Sequence, residues 1–187
     1  MATARERLVY TAAQHLREHG VEGTGLRPLV ADAGAPWGSL RHYFPGGKDQ
    51  LVVEALGWSG SYAAAVVERY LRRGSPTARG LLRVVVRWWV DDLESRDFAR
   101  GCPVAAAVAD CAHTNPTIRA AAAGALEAWR SPIRDGIVAL GFTKRDADEL
   151  ATVLLAALEG GILMARAQRS TEPLRVVERR LLPLLQR

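Results

Sequence analysis

The stretch "GAPWGSLRHYFPGGKDQL", residues 34–51, decides the fold because it isolates a short helix between two corners. Gly34 is suited to end the preceding helix, since glycine adopts the left-handed conformation that a C-cap requires. Pro36 opens a new helix, and the run Pro45-Gly46-Gly47 breaks it. The pattern predicts a helix of about two turns that carries aromatic and basic side chains beside irregular backbone.

The rest of the chain has helical periodicity and few strand signals. A first helix is predicted to stop at Gly20, and a second to run from Leu26 to Ala33 with Thr24 as its N-cap. Longer helices are predicted at about 48–73, 77–96, 104–113, 117–140, 144–168 and 173–186. The pattern predicts an all-α fold, with three short helices in a first domain, residues 1–47, and six longer helices in a second, residues 48–187.

Composition and charge favour a soluble, cytoplasmic protein. Of the 187 residues, 49% are apolar and 24% charged, which is typical of a globular chain. Charges interrupt the N-terminus where a signal peptide needs an apolar core, and no apolar run approaches the ~20 residues of a membrane helix. Cys102 and Cys111 are too few for a disulfide framework. The net charge of +5 is spread along the chain, so a polyanionic partner must be recognised by side-chain placement.

The run around Lys48 has two chemical interpretations. A phosphate-binding P-loop needs a glycine, four residues and then Gly-Lys-Ser/Thr, between a strand and a helix. Here His42 occupies the place of the first glycine, Asp49 occupies that of the hydroxyl residue, and no strand precedes the run. The P-loop interpretation therefore fails. A helix-turn-helix fits better, because that motif joins two short helices by a tight turn.

A helix-turn-helix places its second short helix in the major groove of DNA. Gly38 and Ser39 are small enough to allow close approach, and Arg41 is long enough to reach a guanine edge. Leu40 and Phe44 would face inward as anchors. The candidate phosphate contacts are His42, Tyr43 and Lys48, with Thr24 and Arg27 around the start of the preceding helix. The alternative is a packing corner with an ordinary solvated face.

These residues resemble the TetR family of transcriptional repressors. The resemblance runs from Arg5 to Leu56 and centres on Ala-Gly-x-x-x-Gly-Ser-Leu-x-x-x-Phe at residues 33–44, followed by Gly-Lys. The "FPGGK" turn and the run "RGCPVAAAVAD", residues 100–110, are similar to the LmrA/YxaF subgroup. The family implies a DNA-binding head, a ligand-binding and dimerising body, and an operator as partner. It also implies a DNA contact for Trp37, although the family often has a polar residue there and a tyrosine at the position of Arg41.

The resemblance further implies a small-molecule effector in a cavity of the body. The candidate lining residues are Trp88, Trp89, Phe98, Cys102, Cys111, His113, Trp129, Ile133 and Met164. Packing in an ordinary core is the alternative for each of them. No acidic cluster is obvious among the inward positions, so we expect an apolar or aromatic effector.

The stretch "LATVLLAALEGGILMARAQ", residues 150–168, is apolar almost all round, too apolar for a helix with one solvated face. We expect this helix and the last one to pair with a second copy as a four-helix bundle. The predicted interface consists of Leu154, Leu158, Gly161, Ile162, Ala165, Leu174, Val177, Leu181 and Leu185. The alternative is burial within one subunit.

Two other classes of protein are alternatives to a ligand-responsive, dimeric repressor. A small all-helical enzyme would need a reactive site, but His15 and His19 form at most half a metal site, and Cys111 and His113 lie on nearly opposite sides of a helix. An architectural DNA-binding protein would lack an effector. We expect no catalytic residue, metal or cofactor.

Overall fold

The computed structural model describes residues 2–186 and contains, within that range, nine α-helices, one 3-10 helix and no strand. The α-helices are α1 (Ala4–Gly23), α2 (Leu26–Asp32), α3 (Trp37–Tyr43), α4 (Gly47–Leu71), α5 (Ala78–Ser95), α6 (Pro103–Cys111), α7 (Pro116–Ala139), α8 (Lys144–Gln168) and α9 (Glu172–Leu181). The 3-10 helix spans Leu182–Leu185. The predicted all-α fold is confirmed.

The ends of the first two helices follow from local chemistry. α1 begins at a capping box, in which the Thr3 hydroxyl accepts from the Glu6 amide and the Glu6 carboxylate accepts from the Thr3 amide. Gly20 interrupts α1 with a φ of 69°, which glycine adopts without strain, so the predicted helix end is a break within a longer helix. The prediction of Thr24 as N-cap of α2 is wrong, because Gly25 occupies the cap position.

The described residues form two compact units. The first contains the residues up to Ser61 together with Cys102–Leu126, and the second contains Tyr62–Gly101 together with the residues from Glu127 onward. α4 and α7 each contribute residues to both units. The predicted boundary at residue 47 divides a DNA-binding domain from a ligand-binding and dimerisation domain. The division into compact units does not test this functional boundary, which stays a prediction.

Helices α1, α2, α3 and α6 pack together in the first unit. Its apolar core includes the buried side chains of Leu8, Leu16, Leu29, Leu40, Phe44, Leu51, Leu56 and Ile118. Two polar contacts add to this core. The Asp110 carboxylate accepts hydrogen bonds from the amides of Val21 at 2.7 Å and Glu22 at 3.4 Å, and the Asn115 side-chain amide donates to the Asp49 carboxylate at 2.8 Å. They connect α6 to the end of α1, and the start of α7 to the start of α4.

Helices α5, α8 and α9 pack together in the second unit. Its core includes Leu81, Leu82, Leu93, Ile133, Ile137, Leu158, Ile162 and Leu174. α8 and α9 approach closely at Gly161, where a Cβ atom would lie 2.9 Å from Cδ2 of Leu174. Because contact is this tight, α8 and α9 form one packed pair within the subunit.

α8 is the one helix among residues 2–186 that is long and apolar enough to span a membrane by length and composition. The sequence-based expectation that no segment would approach this criterion is therefore wrong. The apolar character of α8 has a local explanation, because Leu154, Leu158, Ile162 and Ala165 are buried inside the subunit. Core helices of water-soluble proteins have the same composition.

Candidate nucleic-acid interface

α3 is a seven-residue helix with one buried and one exposed face. Leu40 is 4% exposed, and Phe44, directly after the helix, is 1% exposed. At 100° per residue, Gly38 and His42 lie opposite Leu40, with Ser39 and Arg41 on either side of them. The outermost position near the start of α3 therefore carries no side chain, and a Cβ built on Gly38 would meet nothing within 4 Å.

The corner that precedes α3 is held by a side chain of α1. Arg7 donates from Nε to the Ala33 carbonyl at 3.0 Å and from Nη2 to the Gly34 carbonyl at 3.1 Å. These carbonyls lie where α2 ends, so the guanidinium satisfies backbone acceptors that the helix leaves free. Sequence reasoning missed this role of Arg7, because only the fold brings α1 beside a turn 26 residues further along the chain.

Seven of the eight predicted DNA-contacting residues have exposed or partly exposed side chains. Arg27, Trp37, Arg41 and His42 are exposed, while Ser39, Tyr43 and Lys48 are partly exposed. His42 and Tyr43 contact each other edge to face, with ring centroids 4.8 Å apart. Thr24 differs, because it is 2% exposed and its hydroxyl donates to the Gly20 carbonyl at 2.5 Å. Thr24 thus shapes the connection between α1 and α2 and offers no exposed donor.

The charge around α3 is positive. Residues 25–48 contain the basic residues Arg27, Arg41 and Lys48, and Asp32 is their single acid. The carboxylate of Asp32 lies 2.8 Å from Nε2 of His15 in α1. The next acid along the chain, Asp49, accepts from Asn115. α3 itself carries Arg41 and no acidic side chain, which favours an anionic partner.

Three of the predicted ligand-binding residues, Trp88, Trp89 and Trp129, belong to an aromatic cluster in the second unit. Trp88 and Trp89 contact edge to face at 4.8 Å, Trp89 lies 6.2 Å from Trp129, and Tyr62 lies 5.8 Å from Trp88. Trp89 and Trp129 are buried, and so is the predicted residue Ile133. Tyr62 was not predicted, because its position on α4 gave no sign of a tryptophan partner on α5.

The remaining predicted ligand-binding residues are dispersed. Cys102, Cys111 and His113 belong to the first unit, where both cysteines are buried and His113 is exposed. In the second unit, Phe98 is partly exposed and Met164 is 51% exposed. His113, in the turn after α6, and Met164, on α8, both have exposed side chains. The prediction that these two line an enclosed cavity receives no support from their burial.

The thiol of Cys111 is held in its neutral form. Its pKa is raised above the ordinary value, chiefly by burial and then by the neighbouring carboxylates of Asp110 and Glu22. A protonated thiol is a poor nucleophile. The other candidate for reactive chemistry, His15, contacts Asp32 and lies edge to face with His19 at 5.7 Å. No group of three or more His, Cys, Asp or Glu side chains suited to a metal ion occurs within residues 2–186.

The predicted dimer interface lies on the side of α8 that the subunit itself buries. Its members Leu154, Leu158, Gly161, Ile162, Ala165, Leu174 and Leu185 are buried within the subunit, and Val177 and Leu181 are partly buried. Within the subunit, α8 packs on α9 and on α5, and α9 packs on the 3-10 helix. Helical periodicity located an apolar stripe correctly, but it could not distinguish a partner in the same chain from one in a second copy.

The opposite side of α8 is apolar and exposed. We name it the outer stripe; it consists of Val153, Ala156, Gly160, Leu163, Met164 and Ala167. At 100° per residue these six positions fall within an arc of about 100° on one helix face. Leu163 is 70% exposed and Val153 is 48% exposed, and Val176 of α9 and Leu184 of the 3-10 helix are exposed too.

The geometry defines a class of protein. Two short helices, α2 and α3, are joined by a tight turn, and long helices follow them. α3 is exposed and carries a glycine, Gly38, on its outer face. This arrangement is a helix-turn-helix attached to a helical body. Three comparisons identify the class more closely. Residues 79–180 match the family "Transcriptional regulator LmrA/YxaF-like, C-terminal domain". An HTH-type transcriptional regulator of Mycobacterium tuberculosis is 35% identical over 190 residues, which cover 99% of this chain and 95% of that protein.

Solved structures agree with this identification. The regulatory protein TetR from Rhodobacter sphaeroides has a TM-score of 0.86 and 25% identity, and covers 99% of this chain and 100% of its own. A cysteine mutant of the TetR-family regulator CifR, solved with double-stranded operator DNA, has a TM-score of 0.71 and 27% identity, with 100% of this chain and 98% of its own covered. The chain belongs to the TetR family of transcriptional regulators, in the LmrA/YxaF-like group.

Proposed function

We propose that this chain is a ligand-responsive repressor, which binds a near-palindromic operator as a homodimer and is released by a small apolar or aromatic effector. The observation that carries the proposal is the outer face of α3, where Gly38 leaves room for a base edge between Arg41 and Ser39. In this proposal Arg41 reads a base, and Arg27, His42, Tyr43 and Lys48 contact phosphates. Trp37, which is half-exposed, packs on the sugar or a thymine methyl.

The homodimer is proposed to form through the outer stripe of α8 with Val176 and Leu184. An exposed apolar surface of this extent is typical of a subunit interface. A two-fold axis through the stripe pairs α8 and α9 with their copies as a four-helix bundle. Two identical heads related in this way read two half-sites about one helical turn apart, so the operator has the symmetry of the protein.

The effector is proposed to contact the aromatic cluster of Tyr62, Trp88, Trp89 and Trp129. Aromatic faces bind planar apolar molecules through burial and offset stacking. Such a ligand shifts the dimer away from its DNA-binding state only if it binds another state more tightly. α4 carries the coupling in this proposal, because it begins directly after α3 and extends to Leu71. The protein acts in the cytoplasm, where its operator lies.

Selection of duplexes from a random DNA library tests the DNA-binding part. We expect the wild-type chain to enrich a two-fold symmetric sequence. Arg41→Ala combined with Lys48→Ala should weaken binding to the enriched duplex by at least about tenfold, since a bidentate base contact is worth about 1–3 kcal/mol. The matched control is Arg145→Ala combined with Lys144→Ala, which removes the same charge from the exposed start of α8. Equal losses from both double variants would refute the assignment of α3.

The effector part is tested with a thermal-shift screen of apolar and aromatic compounds. A compound that raises the melting temperature should also release the enriched duplex. Trp129→Leu should abolish the shift and leave DNA binding intact. If no compound affects DNA binding and the duplex preference is weak, the architectural alternative is favoured instead.

A further inference from the structure

A chain of hydrogen bonds connects α1 to the turn after α3. Nη2 of Arg5 donates to Oε2 of Glu54 at 2.6 Å. Nε2 of Gln50 donates to Oε1 of the same carboxylate at 3.1 Å. The backbone amide of Gly46 in turn donates to Oε1 of Gln50 at 2.9 Å. Both oxygens of Glu54 and both ends of the Gln50 amide are therefore engaged in one continuous series.

The series is attached to the end of α3 at a second point. Cζ of Arg5 lies 5.7 Å from the centroid of the Phe44 ring, within the range of a cation–π contact. Phe44 is almost completely buried and directly follows α3, and Gly46 lies two residues further along. Arg5 thus contacts the anchor of α3 directly, and reaches the following turn through Glu54 and Gln50.

α3 depends on such external contacts for its orientation. A helix of seven residues is too short to be stable alone, because nucleation costs more than so few hydrogen bonds return. It makes no side-chain cap at its N-terminus, and the turn behind it contains Gly46 and Gly47, the latter with a φ of 69°. Because glycine adopts both positive and negative φ angles, two adjacent glycines make the turn flexible unless other contacts restrain it.

We propose that Arg5, Glu54 and Gln50 form a positioning relay that fixes α3 in the orientation required for operator binding, without touching DNA. The inference rests on the proposed function. Stability is a poor explanation of the series, since the side chains of Arg5 and Glu54 are 49% and 23% exposed, and ion pairs in contact with solvent contribute little to folding. We infer that the series restricts the orientation of α3 before DNA binds, so that less conformational entropy is lost on binding.

Glu54→Gln distinguishes a positioning effect of the relay from a purely electrostatic effect on DNA binding. The substitution removes a negative charge from the head, so electrostatic attraction alone predicts tighter binding to DNA. The relay predicts weaker binding, by about fivefold to tenfold, because Arg5 and Gln50 donate to different oxygens of Glu54, and in glutamine an NH2 group that cannot accept replaces one of these oxygens. Arg5→Met should lower affinity similarly. The slope of log affinity against log salt should stay unchanged in both variants, whereas loss of a phosphate contact reduces it by about 0.9.

The probe is the duplex enriched by the wild-type chain, and the control is Glu149→Gln, which removes an acid that pairs with Arg145 on α8. The exchange Arg5→Glu with Glu54→Arg should not recover the lost affinity, because arginine at position 54 has no acceptor for Nε2 of Gln50. Hydrogen exchange of the Gly46 amide, measured without DNA, should accelerate in Glu54→Gln and in Gln50→Leu. This second measurement does not depend on operator binding.

The outcomes distinguish the relay from the function on which it rests. If the wild-type chain enriches no duplex, the proposed function fails and the relay fails with it. If the wild-type chain binds its duplex and Glu54→Gln binds equally or more tightly, the relay is wrong and the proposed function stands. Unchanged exchange at Gly46, or a salt slope reduced by Arg5→Met, would also overturn the relay.

Discussion

Asp110→Ala should destabilise the protein far more than removal of an ordinary surface carboxylate. Asp110 connects α6 to the end of α1, because its carboxylate accepts from the amides of Val21 and Glu22. A hydrogen bond to a charged group contributes about 1.5–3 kcal/mol, and the shorter of the two bonds, at 2.7 Å, dominates. We therefore expect the free energy of unfolding to fall by about 2 kcal/mol.

That change is large enough to measure by urea unfolding followed by circular dichroism. For a chain of this size, about 2 kcal/mol corresponds to a melting temperature lower by about 4–8 °C. The matched control is Asp91→Ala. Asp91 pairs with Arg87 on the surface of α5 and its side chain is 66% exposed, so its removal should change the free energy of unfolding by less than about 0.5 kcal/mol. Similar losses from both variants would refute the role of Asp110.

Gly20 provides an internal check on the same contact. A Cβ built on Gly20 would overlap Oδ2 of Asp110, and φ at this position is 69°. Gly20→Ala therefore has two costs, a left-handed alanine worth about 1–2 kcal/mol and displacement of the carboxylate. In the Asp110→Ala background only the backbone cost remains. The two substitutions together should cost clearly less than the sum of their separate effects. Strict additivity would show that the carboxylate does not pack on Gly20 in solution.

Three further predictions concern α3, the outer stripe and the thiols. Gly38→Leu should raise the melting temperature slightly, because leucine is the better helix former and the position is open. The same substitution should abolish binding to the enriched duplex, because the leucine side chain would keep α3 out of the major groove. Retained binding would refute the proposed DNA-contacting face of α3. Leu163→Glu should convert a dimer to a monomer in analytical ultracentrifugation. The control Val108→Glu, at an apolar side chain of α6 that is 41% exposed, should leave the dimer intact. Cys102 and Cys111 should react slowly with a thiol reagent in the native protein at neutral pH and quickly in denaturant, since both are buried and the pKa of Cys111 is raised; rapid native reaction would contradict their burial.

Local signals explain how much of the fold the sequence predicted. Gly34, Pro36 and the run Pro45-Gly46-Gly47 act on their own backbone, so they predicted the bounds of α3 closely. The spacing of Leu40 and Phe44 likewise predicted which face is buried. These effects extend over four residues or fewer, and a single sequence contains all the information that they need.

Other features could not be predicted, because they depend on residues that only the fold brings together. Arg7 lies 26 residues from the carbonyl it binds, and Arg5 lies 49 residues from Glu54. Threonine is a residue type that is common at N-caps, yet the hydroxyl of Thr24 donates to the Gly20 carbonyl in α1 and does not cap α2. Gly25 occupies the N-cap position of α2.

The burial of the inner side of α8 changes which of its faces we propose as the dimer interface. A helix that is apolar all round needs apolar partners on more than one side. The inner side of α8 already has partners in its own subunit, as the close approach of Gly161 to Leu174 demonstrates. The outer stripe therefore carries the argument for a second copy, since Leu163, at 70% exposed, is the large apolar side chain of α8 that the subunit covers least. It follows that substitutions at Leu158 should unfold the subunit, whereas substitutions at Leu163 should separate subunits that stay folded.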